Sequence, residues 1–357
     1  MRAPTNACCR RVGSALWVAA AVAVIGAQTA IRPVSTTRAP LVLAVHRSSL
    51  ACPGTTLFAD LQPGVAPRIV EVDMEGEIVW EFVVPPYLRG YTDPGMDVEA
   101  LDSGNVLFVL PRHGIYEVSR EGRIVWFHRD DRASHDADRL ENGNTLYVYG
   151  AGDGVDDLHV KEVDASGTLV WSWSAGSSYA VEPYLEIDDR GWTHTNAVTR
   201  MADGNTLVNL RNFDLTVEVS PAGEVVWSVD WRSLFAGAPR RGTYGPHDPE
   251  VLADERLLVC LQWDAPFQVV EIDRRTGEIA WSYRREGLRT TRDADRLPNG
   301  NTLIVGVLEG SEESVIFEVT PDGRIAWEIG LRGVSADGSP GWFYKAERLC
   351  DAVPPAP

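Results

Sequence analysis

The sequence predicts an all-β fold, a six-bladed β-propeller with four antiparallel strands per blade. Three observations predict it. A glycine-to-tryptophan strand motif recurs six times, an Asn-Gly or Asp-Gly turn keeps the same period, and the C-terminal segment repeats a strand that the first copy lacks.

The strand motif runs Gly76 to Trp80, Gly122 to Trp126, Gly167 to Trp171, Gly223 to Trp227, Gly277 to Trp281 and Gly323 to Trp327. By subtraction the tryptophans stand 46, 45, 56, 54 and 46 residues apart. That period suits one four-stranded blade per copy. The turns are Leu101-Asp-Ser-Gly-Asn, Leu140-Glu-Asn-Gly-Asn, Met201-Ala-Asp-Gly-Asn and Leu297-Pro-Asn-Gly-Asn, with a degenerate copy at Leu252. Glycine supplies the positive φ that a tight hairpin requires, so each turn joins an inner strand to a second strand. A third strand follows, as in Ile115 to Val118, and the tryptophan strand is fourth and outermost. No long segment repeats its apolar residues at 3.6, so helices should be few.

Closure follows from the same alignment. Ala346-Glu-Arg-Leu349 matches the inner strands Ala137-Asp-Arg-Leu140 and Ala294-Asp-Arg-Leu297, whereas no such strand precedes Gly54. The C-terminus is therefore expected to supply the inner strand of blade one. Cys52 and Cys350 both align with the turn at Pro298, so a disulfide is expected at the seam. The expected organisation is a signal peptide or membrane anchor plus linker over 1–45, the propeller over 46–351 and a tail over 352–357.

The N-terminus carries Arg2, Arg10 and Arg11 before an uncharged stretch from Gly13 to Ile31. It reads equally as a cleaved signal peptide or an uncleaved anchor, near the roughly 20 residues that span a bilayer. Either way the remainder is expected outside the cytoplasmic membrane: periplasmic, extracellular or anchored to its outer face. A formal net charge of -18 disfavours nucleic acid as a partner.

In a propeller the loops entering the inner strands gather at one mouth of the axial channel. Those loops read Gly95-Met-Asp97, Ser134-His-Asp136, Trp192-Thr-His-Thr-Asn196, Pro246-His-Asp248, Thr291-Arg-Asp293 and Phe343-Tyr-Lys345. His135, His194 and His247 occupy corresponding places and Arg292 a fourth. The other histidines, His46, His113, His128 and His159, fall elsewhere and read as ordinary packed side chains. Arg211 follows the second strand beside the histidine loops. The Asp138-Arg139, Asp295-Arg296 and Glu347-Arg348 pairs read as ladder salt bridges between blades. No Cys-x-x-Cys spacing suggests zinc.

At these residues the sequence resembles the arylsulfotransferase family. The resemblance rests on Gly191-Trp-Thr-His-Thr-Asn-Ala197, Val208-Asn-Leu-Arg-Asn-Phe213, Gly245-Pro-His-Asp-Pro249 and Arg292 to Leu303. It implies sulfuryl transfer from a small-molecule aryl sulfate to a phenol in the central channel, with no cofactor, nucleotide donor or metal. By resemblance His247 and His194 are catalytic and Arg211 binds substrate; His135 and Arg292, from their places at the mouth, are expected to bind it as well. Full-length members carry a further histidine where this sequence has Arg292. Two other readings compete. One is a non-catalytic extracytoplasmic propeller that binds a ligand or a protein. The other is a quinoprotein, because Asp273 to Trp281 resembles the tryptophan-docking repeat, although six copies fall short of the usual eight.

Overall fold

Six antiparallel sheets, five of four strands and one of five, form the ring in the computed structural model, which describes residues 38, 40–62, 65–92, 95–235, 241–263, 265–310, 313–331 and 343–351. Blade three is representative, with Ser134–Arg139 innermost, then Thr145–Val148, Val160–Val163 and Leu169–Trp173 outermost. The inner hairpins close as the turn residues require. Gly143 sits at φ +83° and its N–H donates to the Leu140 carbonyl at 2.8 Å. The core lies between blades. One cluster joins Leu57 and Ile69 of blade one to Val106 and Phe108 of blade two, all buried.

The recurring tryptophan is the latch of each interface. In all six blades its indole N–H donates across to a turn carbonyl of the next blade, at 2.8–3.0 Å. An arginine lies over each indole with Cζ 4.4–5.1 Å from the ring centre. That arginine also pairs with the glutamate of the third strand: Arg139 with Glu117 at 3.0 Å, Arg200 with Glu162 at 2.8 Å, Arg296 with Glu271 at 2.5 Å and Arg348 with Glu318 at 3.3 Å. Where the inner strand offers Ala100 or Val251 instead, a turn arginine substitutes, Arg120 on Glu71 and Arg274 on Glu218. The expected inter-blade role of the Asp-Arg pairs thus holds for the arginines, but their partners are third-strand glutamates of the preceding blade.

The inner-strand acids have a different task. Asp97, Glu99, Asp136, Glu250, Asp293 and Glu347 each accept a backbone N–H from the next inner strand, at 2.5–3.1 Å. Strands around the axis do not pair with one another, so these carboxylates satisfy donors that a buried wall would orphan.

Ring closure is as expected. Ala346–Cys350 pairs with Gly54–Asp60, and Cys52 is bonded to Cys350 across a sequence separation of 298. A disulfide fits an extracytoplasmic protein. One addition lies within the stretch read as linker up to residue 45. Leu41–His46 pairs with Ile325–Leu331 as a fifth strand on blade six, covering Trp327 completely. The segment from Gly13 to Ile31 lies outside the described residues. Among the described residues no helix is long and apolar enough to cross a membrane.

Candidate functional site

The loop of blade four carries His194 and is built before its strand begins. Trp192 packs on Phe213 at 5.0 Å and donates its indole N–H to the Tyr184 carbonyl at 2.8 Å. Asp153 accepts from the backbone of Thr193 at 3.0 Å and His194 at 3.2 Å, and its carboxylate lies 3.2 Å from His159 Nε2. Asn212 ties the same loop through the Gly191 carbonyl at 2.8 Å. Asn196 and Asn209 reach into blade five, both donating to the Pro246 carbonyl, at 3.2 and 2.7 Å. Asp214 accepts three consecutive backbone N–H groups, Thr243, Tyr244 and Gly245, at 3.0–3.1 Å. Two histidine loops are therefore cross-braced. The Trp-Thr-His-x-Asn stretch places an imidazole and steadies its neighbour in one motif.

His135, His194, His247, Arg211 and Arg292 line one cavity of about 1000 Å³ at the mouth. The rings of His135 and His194 lie 4.7 Å apart. Tyr344 lies against two of these histidines, its ring 6.1 Å from that of His135 and 5.4 Å from that of His247, with its hydroxyl 3.1 Å from His247 Nε2 and the Arg292 guanidinium 5.8 Å from its ring. Arg211 lies 4.3 Å from the ring of Trp263, which also lines the cavity. Five arginines face two aspartates in this lining, so a locally cationic pit opens in a protein of net charge -18.

The polar atoms here are left short of partners. Nδ1 of His135, His194 and His247, and Nε and Nη1 of Arg211, are buried without a hydrogen bond. The four residues are 2–7% exposed. Leaving a buried polar group unsatisfied costs about 1–3 kcal/mol, and a polar ligand seated in this cavity would find five such atoms within one lining.

Burial governs the electrostatics. It lowers the His135 pKa to about 3, helped by Arg211, Lys345 and Arg292. His194 and His247 are held well below the ordinary histidine value, again chiefly by burial. All three imidazoles are neutral near pH 7. Burial also brings Arg211 down to about 10, which leaves it charged.

Beneath the pit the channel changes sign. A second cavity of about 960 Å³ is lined by Asp97, Glu99, Asp136, Asp138, Glu250, Asp293, Asp295 and Glu347. Lys345 stands at its top, 2.5 Å from Asp136, 2.7 Å from Asp248 and 3.4 Å from Asp97. Burial pushes Asp136 up to about 8 and Glu99 and Glu250 to about 7, whereas Lys345 overcomes burial at Asp248 and draws it down to about 2.

Sequence reading named Tyr344 and Lys345 only as loop residues and missed Trp263, Asp153 and Asp214 as parts of the site. Tyr344 stands where the mouth histidines stand and Lys345 where their aspartates stand, and that signal was sufficient to include them. The others act on partners tens of residues away and carry no local signature.

A family model described as Arylsulfotransferase (ASST) matches residues 36–235, which include His135, His194 and Arg211 and end before His247 and Arg292. A second model, described as Outer membrane protein assembly factor BamB, matches residues 156–336. No curated protein matches the chain by sequence. Among solved structures, a protein of unknown function from Bacteroides caccae aligns with TM-score 0.56 and 17% identity, covering 82% of this chain and 98% of that one. A streptogramin B lyase aligns with TM-score 0.50 and 14% identity, covering 80% and 86%. At such identities the likeness shows the fold alone.

Proposed function

Since the chain belongs to the arylsulfotransferase family, we propose that it transfers a sulfuryl group from an aryl sulfate to a phenolic acceptor at the mouth of the channel. The observation that carries this reading is the set of unsatisfied buried Nδ1 and guanidinium atoms around one cationic cavity.

Arg211 and Arg292 hold the sulfuryl oxygens, and the planar guanidinium fork suits them. His247 is the nucleophile. Its neutral imidazole attacks sulfur, the S–O bond to the aryl group breaks, and the phenolate leaves with the bonding pair. That phenolate leaves as the anion and takes its proton from solvent, to which neutral His194 later returns the proton it removes from the acceptor. In the second half His194 takes the proton of the acceptor phenol, whose oxygen attacks sulfur and releases His247. The sum exchanges one aryl ester for another, with no redox change. Tyr344 fixes the His247 ring through Nε2. The protein acts after export, in the oxidising compartment that its disulfide suits, with the segment from Gly13 to Ile31 as the export signal or anchor.

The test mixes the purified full-length protein with 4-nitrophenyl sulfate and phenol and follows 4-nitrophenol release. Release should require phenol. His247→Ala should lose at least about 10³-fold, and Arg211→Ala about 10²–10³-fold with partial recovery in Arg211→Lys. A wild-type protein that releases no 4-nitrophenol with any phenol, or a His247→Ala variant at full rate, would sink the proposal.

A further inference from the structure

The oxyanion end of the substrate has many partners in the pit, but an aryl ester also brings a ring. Trp263 is the described tryptophan that does not serve the fold. Six tryptophans latch blades, and Trp173, Trp192 and Trp231 are buried. Trp263 is 40% exposed, and it lines the mouth cavity. Exposing a large indole forgoes the burial that usually keeps tryptophan inside.

Two neighbours hold the ring in this place. Arg211 lies over it at 4.3 Å, so the guanidinium proposed to hold the sulfuryl group also sets the indole. Gly245, at φ +56°, passes so close that a Cβ there would stand 2.5 Å from the indole carbons. No side chain fits at 245 without moving Trp263. The same glycine immediately precedes the strand of His247, and its N–H is bound by Asp214 at 3.0 Å. The indole is thereby tied both to the sulfuryl-binding arginine and to the strand of the nucleophile.

We propose that Trp263 is the surface on which the aromatic ring of the aryl ester lies, and so the residue that selects aryl over alkyl substrates. The inference rests on the oxyanion pit described above. In an aryl sulfate a single ester oxygen separates ring from sulfur. An anion seated on Arg211 therefore brings its ring into the range of about 4.5–7 Å at which aromatic rings pair. Tyr344, the other aromatic group of the lining, is buried and engaged with His247.

Calorimetric binding of 4-toluenesulfonate and methanesulfonate to the full chain tests it, because neither carries an S–O ester bond to transfer. The wild-type protein should prefer the aryl sulfonate. Trp263→Ala and Trp263→Leu should each lower that preference by about 3–10-fold, and Trp263→Phe should retain most of it. Methanesulfonate should bind the variants within about twofold of wild type. The leucine variant keeps apolar bulk, so its loss reports the ring itself rather than a damaged fold. An unchanged preference in both variants overturns the aryl role and leaves the oxyanion pit standing. Failure of the wild-type protein to bind either sulfonate overturns the pit, and this inference with it.

Discussion

At the scale of single residues, the imidazoles of the mouth lose their ordinary titration. Burial and neighbouring cations hold His135 near 3 and the other two well below the usual value. Activity, measured as kcat/KM for an aryl sulfate from pH 5 to 8, should therefore not drop with a midpoint near the ordinary histidine value of about 6.5. A sigmoidal loss centred there would show that His247 is protonated like an exposed histidine. The stability consequence has the matching sign. Unfolded histidines take up protons below about 6.5, and the folded ones do not, so their contribution is full above that pH and is lost as pH falls. Glu99 and Glu250, raised to about 7, work oppositely. Their contribution is full below about 4.5 and is lost as pH rises through 7. The site histidines were legible because each stands one step before an inner strand, where the register of the repeat is sharp. Trp263 was not, since its meaning comes from Arg211 and Gly245, which reach it through space.

At the scale of the element, the blade is a sheet whose outer tryptophan belongs equally to its neighbour. One indole hydrogen bond contributes about 0.5–1.5 kcal/mol net, and one cation–π contact about 0.5–1 kcal/mol. Trp171→Phe keeps an aromatic ring and removes the bond to the Pro221 carbonyl. It should destabilise the protein by about 1–2 kcal/mol in urea unfolding, and Trp281→Phe, at a separate interface, should add to it. A double variant no less stable than wild type would contradict the latch. The tryptophan period and the turn glycines made the blades legible, because both are local demands on φ and on strand alternation. The glutamate partners of the arginines were not, because a recurring Asp-Arg pair names its nearest acid while the fold offers another. Leu41–His46 escaped for a related reason. A single apolar run with no turn and no tryptophan does not reveal which edge it will join.

At the scale of the whole molecule, a ring has one weakness, the place where its ends meet. Here the first blade is assembled from both termini, and Cys52–Cys350 fastens that seam across 298 residues of sequence. Cross-linking so long a loop restricts the unfolded chain strongly, with a typical gain of about 2–4 kcal/mol. Cys350→Ser, or reduction before unfolding, should lower the unfolding free energy by about that amount, with Cys52→Ser equivalent because both remove the same bond. If the reduced protein unfolds at the same urea concentration as the oxidised one, the seam is held by strand pairing alone. Six copies of one motif make the ring legible from end to end. The mouth of the channel was legible too, whereas its carboxyl-lined lower part was not, because that wall is composed by all blades at once.

Lys345 sits where that wall turns from imidazole and guanidinium to carboxylate. The axis thus offers an anion arginines and imidazoles at its mouth and, past the ammonium, a wall dominated by carboxyl groups. Below the lysine the wall is mostly carboxyl groups, with Arg200, Arg274 and Arg275 among them, and the ammonium that would welcome an anion is already engaged by three aspartates. Under the proposed reaction, the departing phenol would leave by the cationic mouth at which its successor arrives, and a bulky group lodged there would stop both.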